Sequence, residues 1–314
     1  MKTISTTRWI DEKTTDIDEV ARLFLSTHPD EHPEVGPGYS NWQITKLFPD
    51  NKKDIFNGRE IEYNFYTYSV DKTSAGMMAD EDMNVKKTGF VIPYYSNGRI
   101  RYIINRNTDA LNILRKMLFY TGKNEITKNP VKVSGDLFVW LISKVYNCEN
   151  IFESDNEELE NISIDSIKGF KGNTEDLLTK VSASGETVMN IISSLSFLIE
   201  SQNLNQVTLD IAYRGHLNIE VALNNRNTIA TSLDKYIGEL IQYRTEEIYS
   251  KLFLLLYIEI LPIIIQNYES EIGDGRWGSG KCVEFLQTVA NDLSEKVKLR
   301  IEDLASRPEQ LTFM

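Results

Sequence analysis

Asp210 and Glu220 sit in two segments, 207–213 and 217–223, whose apolar residues alternate as in β-strands. Parity decides the loop between them. A two-residue turn at Arg214-Gly215 sets Ile211 opposite Asn218 and mixes faces. A three-residue loop, Arg214 to His216, pairs Ile211 with Ile219 and Leu209 with Val221. That register predicts positive φ at Gly215 and places Asp210 opposite Glu220 on the polar face. Directly opposed like charges are unfavourable, so water, a basic neighbour or a divalent metal must compensate. A divalent metal held by such oxygen ligands supports phosphodiester hydrolysis. The restriction-nuclease pattern also asks for Lys two positions after the second acid, and Ala222 stands there. The plain alternative is a solvated strand face.

A second group is basic. Asn97-Gly98 between apolar alternations predicts a tight hairpin over 90–104, pairing Tyr95 with Ile100, Pro93 with Tyr102 and Val91 with Ile104. The other face carries Tyr94, Arg99 and Arg101, with Lys86, Lys87 and Arg106 near its ends. Arginines beside an aromatic ring can contact phosphate and stack a base, or meet an acidic partner. Charges that protect a strand edge are the alternative.

Gly275-Arg-Trp-Gly278-Ser279-Gly280-Lys281-Cys282 follows the phosphate-loop spacing, with Cys where Ser or Thr holds magnesium. No strand precedes it, and 32 residues follow Cys282, too few for the rest of an NTPase. Anion binding by Gly278, Ser279, Gly280 and Lys281 at a helix start is the reduced reading, and a Gly-rich joint between helices the alternative. His28 and His32 are spaced for zinc on a helix, yet Pro29 and Pro33 place them in a loop. The small-residue turn 182–186 lacks a nucleophile-elbow pattern and fits a helix cap.

The elements that position these groups are read in chain order. Helices are expected over 15–26, after Ser40-x-x-Gln43, and over 109–120, 135–146, 187–201, 232–243 and 281–304. Strands are expected over 60–70, 162–170 and 178–182, and 71–87 reads as a loop. The most apolar run, 252–265, belongs to a buried core helix of about 245–265 rather than a bilayer span, because charges flank it closely. Pro262 is expected to kink or end that helix, and Glu259 to pair with a Lys or Arg. The tail 311–314 is apolar and suits docking on the fold or on a partner.

The chain has 314 residues and a net charge of −12, which argues against broad non-specific nucleic-acid binding but not against a local basic patch. Two cysteines without a Cys-x-x-Cys pair and no apolar leader point to a reducing, cytoplasmic setting. The expected fold is α+β. A β-containing N-terminal domain over 1–148 has an antiparallel hairpin sheet and short helices. A helix-rich domain over 160–314 has a hairpin at 207–223. Two functions compete. One is a non-catalytic component of an assembly, binding a protein or nucleic acid; for an AT-rich microbial sequence, phage-defence or mobile-element loci are the base-rate setting. The other is a metal-dependent nuclease or phosphodiesterase using Asp210 and Glu220.

Overall fold

Alternating apolar residues from Ile4 to the end of the second hairpin build one extended antiparallel sheet system. The computed structural model describes residues 3–30, 38–74, 83–105, 108–122, 124–157, 159–173, 180–184 and 203–306, with Ser196 and Ile199. The main strands are β1 (Ile4–Asp11), β2 (Gly38–Lys46), β3 (Lys52–Phe56), β4 (Arg59–Tyr63), β5 (Tyr66–Ser74), β6 (Met83–Ser96) and β7 (Arg99–Ile104). They continue with β8 (Ile126–Lys128), β9 (Ile151–Phe152), β10 (Ile162–Asn173), β11 (Lys180–Ser184), β12 (Asn203–Tyr213), β13 (His216–Asn224), β14 (Thr228–Thr231) and β15 (Ile237–Gly238). The hydrogen-bonded order is β11-β10-β12-β13-β14-β1-β7-β6-β4-β3, with β5 on β6 and β2 on β5.

β1 joins the two parts of the sheet. Ile4–Thr6 pair with β14, whereas Thr7–Ile10 pair with β7 and Trp9–Asp11 with β8. Apolar side chains fill both faces around this strand. On one side, α1 (Ile17–Leu25) and α2 (Ala110–Met117) cover β1 and β5–β7. Asp16 caps α1 by accepting from Asp18 N, and Ile17, Val20 and Phe24 bury one helical stripe. On the other side, α3 (Gly135–Tyr146) and a central helix, Thr245–Gly273, pack on residues from β4, β6, β10, β12 and β13.

The fold class is the expected α+β, with a large antiparallel sheet and a helix-rich C-terminal region. Several local expectations are overturned. Residues 38–46 form strand β2 rather than a capped helix: pairing with β5 takes over the backbone, and Asn41 sits at φ 54° where the register slips. The expected single strand 60–70 is two, split at Asn64, whose side-chain amide holds Phe48 O and Asn51 Oδ1. Much of the expected loop 71–87 is strand, with Asp71 opposite Lys86. Residues 232–243 form two 3-10 turns around β15 instead of one helix. The helical expectation over 187–201 and the tail 311–314 lie outside the described residues, Ser196 and Ile199 apart.

The central helix is longer than its apolar run. At 29 residues it is long and apolar enough to cross a membrane, so charge spacing is not what sets it apart from a span; its burial against the sheets is. Pro262 does not end it. Leu256–Ile260 form a π turn, in which Leu261 N donates to Leu256 O, and the helix runs on to Gly273.

Candidate functional site: a basic cleft where the first strand changes sheets

Both hairpins carry the expected registers. Tyr95 faces Ile100, Pro93 faces Tyr102 and Val91 faces Ile104. Ile211 faces Ile219 and Asp210 faces Glu220. The loop is not the expected three residues: Tyr213 faces His216 across the two-residue turn Arg214-Gly215, a bulge between Ile211 and Tyr213 restores the odd register beyond it, and Arg214, not Gly215, takes the positive φ, at 50°. Arg214 keeps its side chain in use there: its guanidinium lies 3.5 Å from the buried carboxylate of Glu259.

The opposed acids are each neutralised within the sheet. Lys168 Nζ lies 2.8 Å from Asp210 Oδ2, which also accepts from Ser166 at 3.2 Å. Lys235 Nζ lies 2.6 Å from Glu220. The compensation is therefore two lysines on neighbouring segments. Among the described residues no group of three or more His, Cys, Asp or Glu could hold a metal ion. His28 stacks on Phe119 instead; His32 lies outside the described residues.

The first hairpin does not present its residues on one open face. Tyr94 is buried in the central-helix core. Arg99 is exposed and pairs with Glu12 at 2.8 Å. Arg101 is half-buried and donates to Ser96 O. Lys86 and Lys87 lie along β6 beside β5, and Arg106 is outside the described residues. Burial lowers the Arg101 guanidinium from its ordinary value; Tyr94 opposes this, and the positive charges of Arg8 and Arg99 add to it. Arg8 is thus a neighbour of the hairpin arginines, which no spacing in the sequence shows.

At the other proposed anion site, Gly278 to Lys281 open the last helix, Ser279–Ser306, behind the central helix and with no strand before them. Lys281 is turned to Glu284, 2.7 Å away, and Cys282 N donates to Gly278 O. Trp277 is buried and donates to Asp136.

The structure gathers a different set. A cleft of about 430 Å³ opens where β1 passes from β14 to β7. Arg8, Trp9, Lys128, Arg226 and Thr228 are among its lining residues, and among the described residues no Asp or Glu is. Arg8 is fixed by two neutral acceptors, donating from Nε to Asn129 O and from Nη1 to Tyr257 O, each at 3.0 Å. Its guanidinium also lies 5.1 Å from the Tyr257 ring centre. Lys128 Nζ lies 5.9 Å from the ring of Trp9, whose indole N–H is held by Thr7. Among the described residues, none of Arg8, Lys128 and Arg226 has a carboxylate partner within ion-pair distance. Carbonyls satisfy a guanidinium's N–H groups without neutralising it, so the positive charge stays available to an anion. Volume and lining suit a phosphate with a polar group beside it. Comparison of the sequence with known protein families and with curated proteins gives no match.

Proposed function

We propose that the protein is a non-catalytic component of an assembly that binds a nucleic-acid partner through the cleft of Arg8, Lys128 and Arg226. The observation that carries this reading is the grouping of three cations without carboxylate partners among the described residues, on a chain of net charge −12. An acidic chain repels phosphate at long range, so a local cluster that leaves its cations unneutralised marks the place of contact. Backbone contacts of this kind position a nucleic acid and carry no sequence information. Two free cysteines, Cys148 exposed, support a reducing, cytoplasmic setting. A protein partner belongs to the reading as well: Leu299, Ile301 and Leu304 stand exposed on the last helix.

The test is fluorescence anisotropy with a labelled single strand of about 20 nucleotides across a salt series. Lys128 and Arg226 are exposed, so replacing both by Ala leaves the fold intact. The double variant binds more weakly, and its salt slope falls by about 1.4, at ~0.7 for each phosphate no longer neutralised. Affinity and slope equal to those of the wild type reject the cleft.

A further inference from the structure

Helix α2 connects the basic cleft to a second pocket. Thr108, just before the helix, lines the cleft. Eight residues on, at 1.5 Å each, about 12 Å separates that end from the helix C-terminus. There a cavity of about 160 Å³ is lined by His28, Trp42, Arg115, Phe119 and Tyr120, among others. His28 stacks on Phe119 with ring centres 4.7 Å apart and planes at 20°, and lies 5.3 Å from Trp42.

Two features of this pocket are not explained by packing. The first is Phe119 itself. Tyr120 N donates to Arg115 O and Phe119 N to Lys116 O, the hydrogen bonds of a helix end whose left-handed residue is normally Gly or Asn. Phe119 holds that position at φ 56° while its side chain stays 40% exposed. A bulky residue in this region is strained, and burial does little here to offset it. The second is Arg115. Its Nη2 donates to Thr121 O at 2.7 Å, while its buried Nε has no acceptor among the described residues. Glu125 is engaged by Lys13 at 3.1 Å, and the charge of Arg115 favours its ionised form only weakly.

We propose that this pocket holds one unpaired base of a single-stranded nucleic acid. The base stacks on the exposed side of the Phe119 ring, which His28 and Trp42 back from within, beside Arg115, and the strand's phosphates run along α2 to the cleft at Arg8, Lys128 and Arg226. Aromatic rings next to a guanidinium, placed beyond a basic groove, are the parts from which single-strand stacking platforms are made. A duplex keeps its bases stacked on one another and cannot supply one, so the pocket favours single strands. The assignment rests on the nucleic-acid reading of the cleft and adds a ligand class and a second contact to it.

Anisotropy with a labelled single strand and the matching duplex tests both levels, using wild type, Phe119→Gly and Lys128→Ala. Glycine suits the positive φ, so Phe119→Gly removes the ring while easing the backbone. Its expected effect is a loss of about fivefold to a hundredfold for the single strand, with the duplex and the salt slope unchanged. Lys128→Ala weakens both ligands and lowers the slope. A 2-aminopurine base in the single strand is quenched on binding wild type and not on binding Phe119→Gly. Equal single-strand affinity of wild type and Phe119→Gly, or quenching that survives the substitution, overturns the base pocket and leaves the cleft standing. No binding of either oligonucleotide by the wild type overturns both.

Discussion

Arg8 and Pro262 complete one hydrogen-bond account: Arg8 Nη1 donates to the Tyr257 carbonyl, which Pro262 leaves without a backbone donor. In the π turn, Leu261 N reaches five residues back to Leu256 O. The next donor in that register would be residue 262, and proline has no N–H. Without Arg8, a carbonyl beside the fully buried Leu256 and Ile260 would stand without a partner. Arg8→Ala therefore lowers stability by about 1–3 kcal/mol. Pro262→Ala restores an amide donor and shrinks that penalty, so the double variant is more stable than the sum of single effects by at least ~0.5 kcal/mol. Urea unfolding of the four proteins measures this, and strict additivity rejects the pairing.

Glu259 holds two hairpin tips to the same π turn. It accepts from the backbone N–H of Asn57, in the β3–β4 turn, and from Tyr213 Oη at 2.9 Å, and it faces Arg214 in the β12–β13 turn. Its side chain is fully buried while that of Arg214 is partly exposed, so Glu259→Gln loses the charge-assisted hydrogen bonds but leaves Arg214 a route to water, and costs about 1–3 kcal/mol. A loss below ~1 kcal/mol in chemical denaturation would show that the carboxylate is not holding the turns.

The lysine partners decide the sign of the effect at Asp210. On an open face, Asp210→Asn would relieve repulsion with Glu220 and stabilise. With Lys168 at 2.8 Å and the Asp210 side chain largely buried, it removes an attraction instead. The expected change is a loss of about 1 kcal/mol, with melting midpoints that do not move with magnesium, manganese or chelator. A metal-dependent midpoint in the wild type, abolished in the variant, would restore the metal reading.

His216 makes the fold sensitive to mild acid. Burial lowers its imidazole below the ordinary histidine value, against the fields of Glu239 and Glu259 and with that of Arg214. Its Nδ1 lies 2.6 Å from Tyr236 Oη. Because the folded ring is the weaker base, the unfolded chain takes up the proton first as pH falls through about 6.5, and stability drops from there downward. Urea midpoints at about pH 7.5 and 5.5 fall further for wild type than for His216→Gln. Parallel curves would reject this role.

Elements with strong local signals were legible in the sequence. Asn97-Gly98 and the parity of 207–223 give both registers, and apolar spacing gives α1, α3 and the central helix. The same signal at Asn57-Gly58, with φ of 49° and 67°, marks the hairpin β3–β4, but its short, charged strands carry no apolar alternation to support it. β2 defeats its capping box because sheet pairing outweighs a local side-chain bond. The basic cleft was not legible at all. Arg8 lies in β1, Lys128 in β8 and Arg226 before β14, each polar and unremarkable alone, and pairing across more than 200 residues brings the first and last together. The hairpin face failed for a related reason: cores on both sides of the sheet bury Tyr94, where alternation promises one wet face.

The sharing of β1 also sets an order on synthesis. Thr6 waits for Ile229, a partner 223 positions later, before its sheet is complete. Until β14 has left the ribosome, the β14-pairing segment of β1 lacks its ladder, and the N-terminal sheet lacks the central helix that covers one of its faces. An unpaired, partly apolar strand is a template for wrong partners. Closure late in translation makes folding slow through loop entropy and leaves the early chain in need of protection.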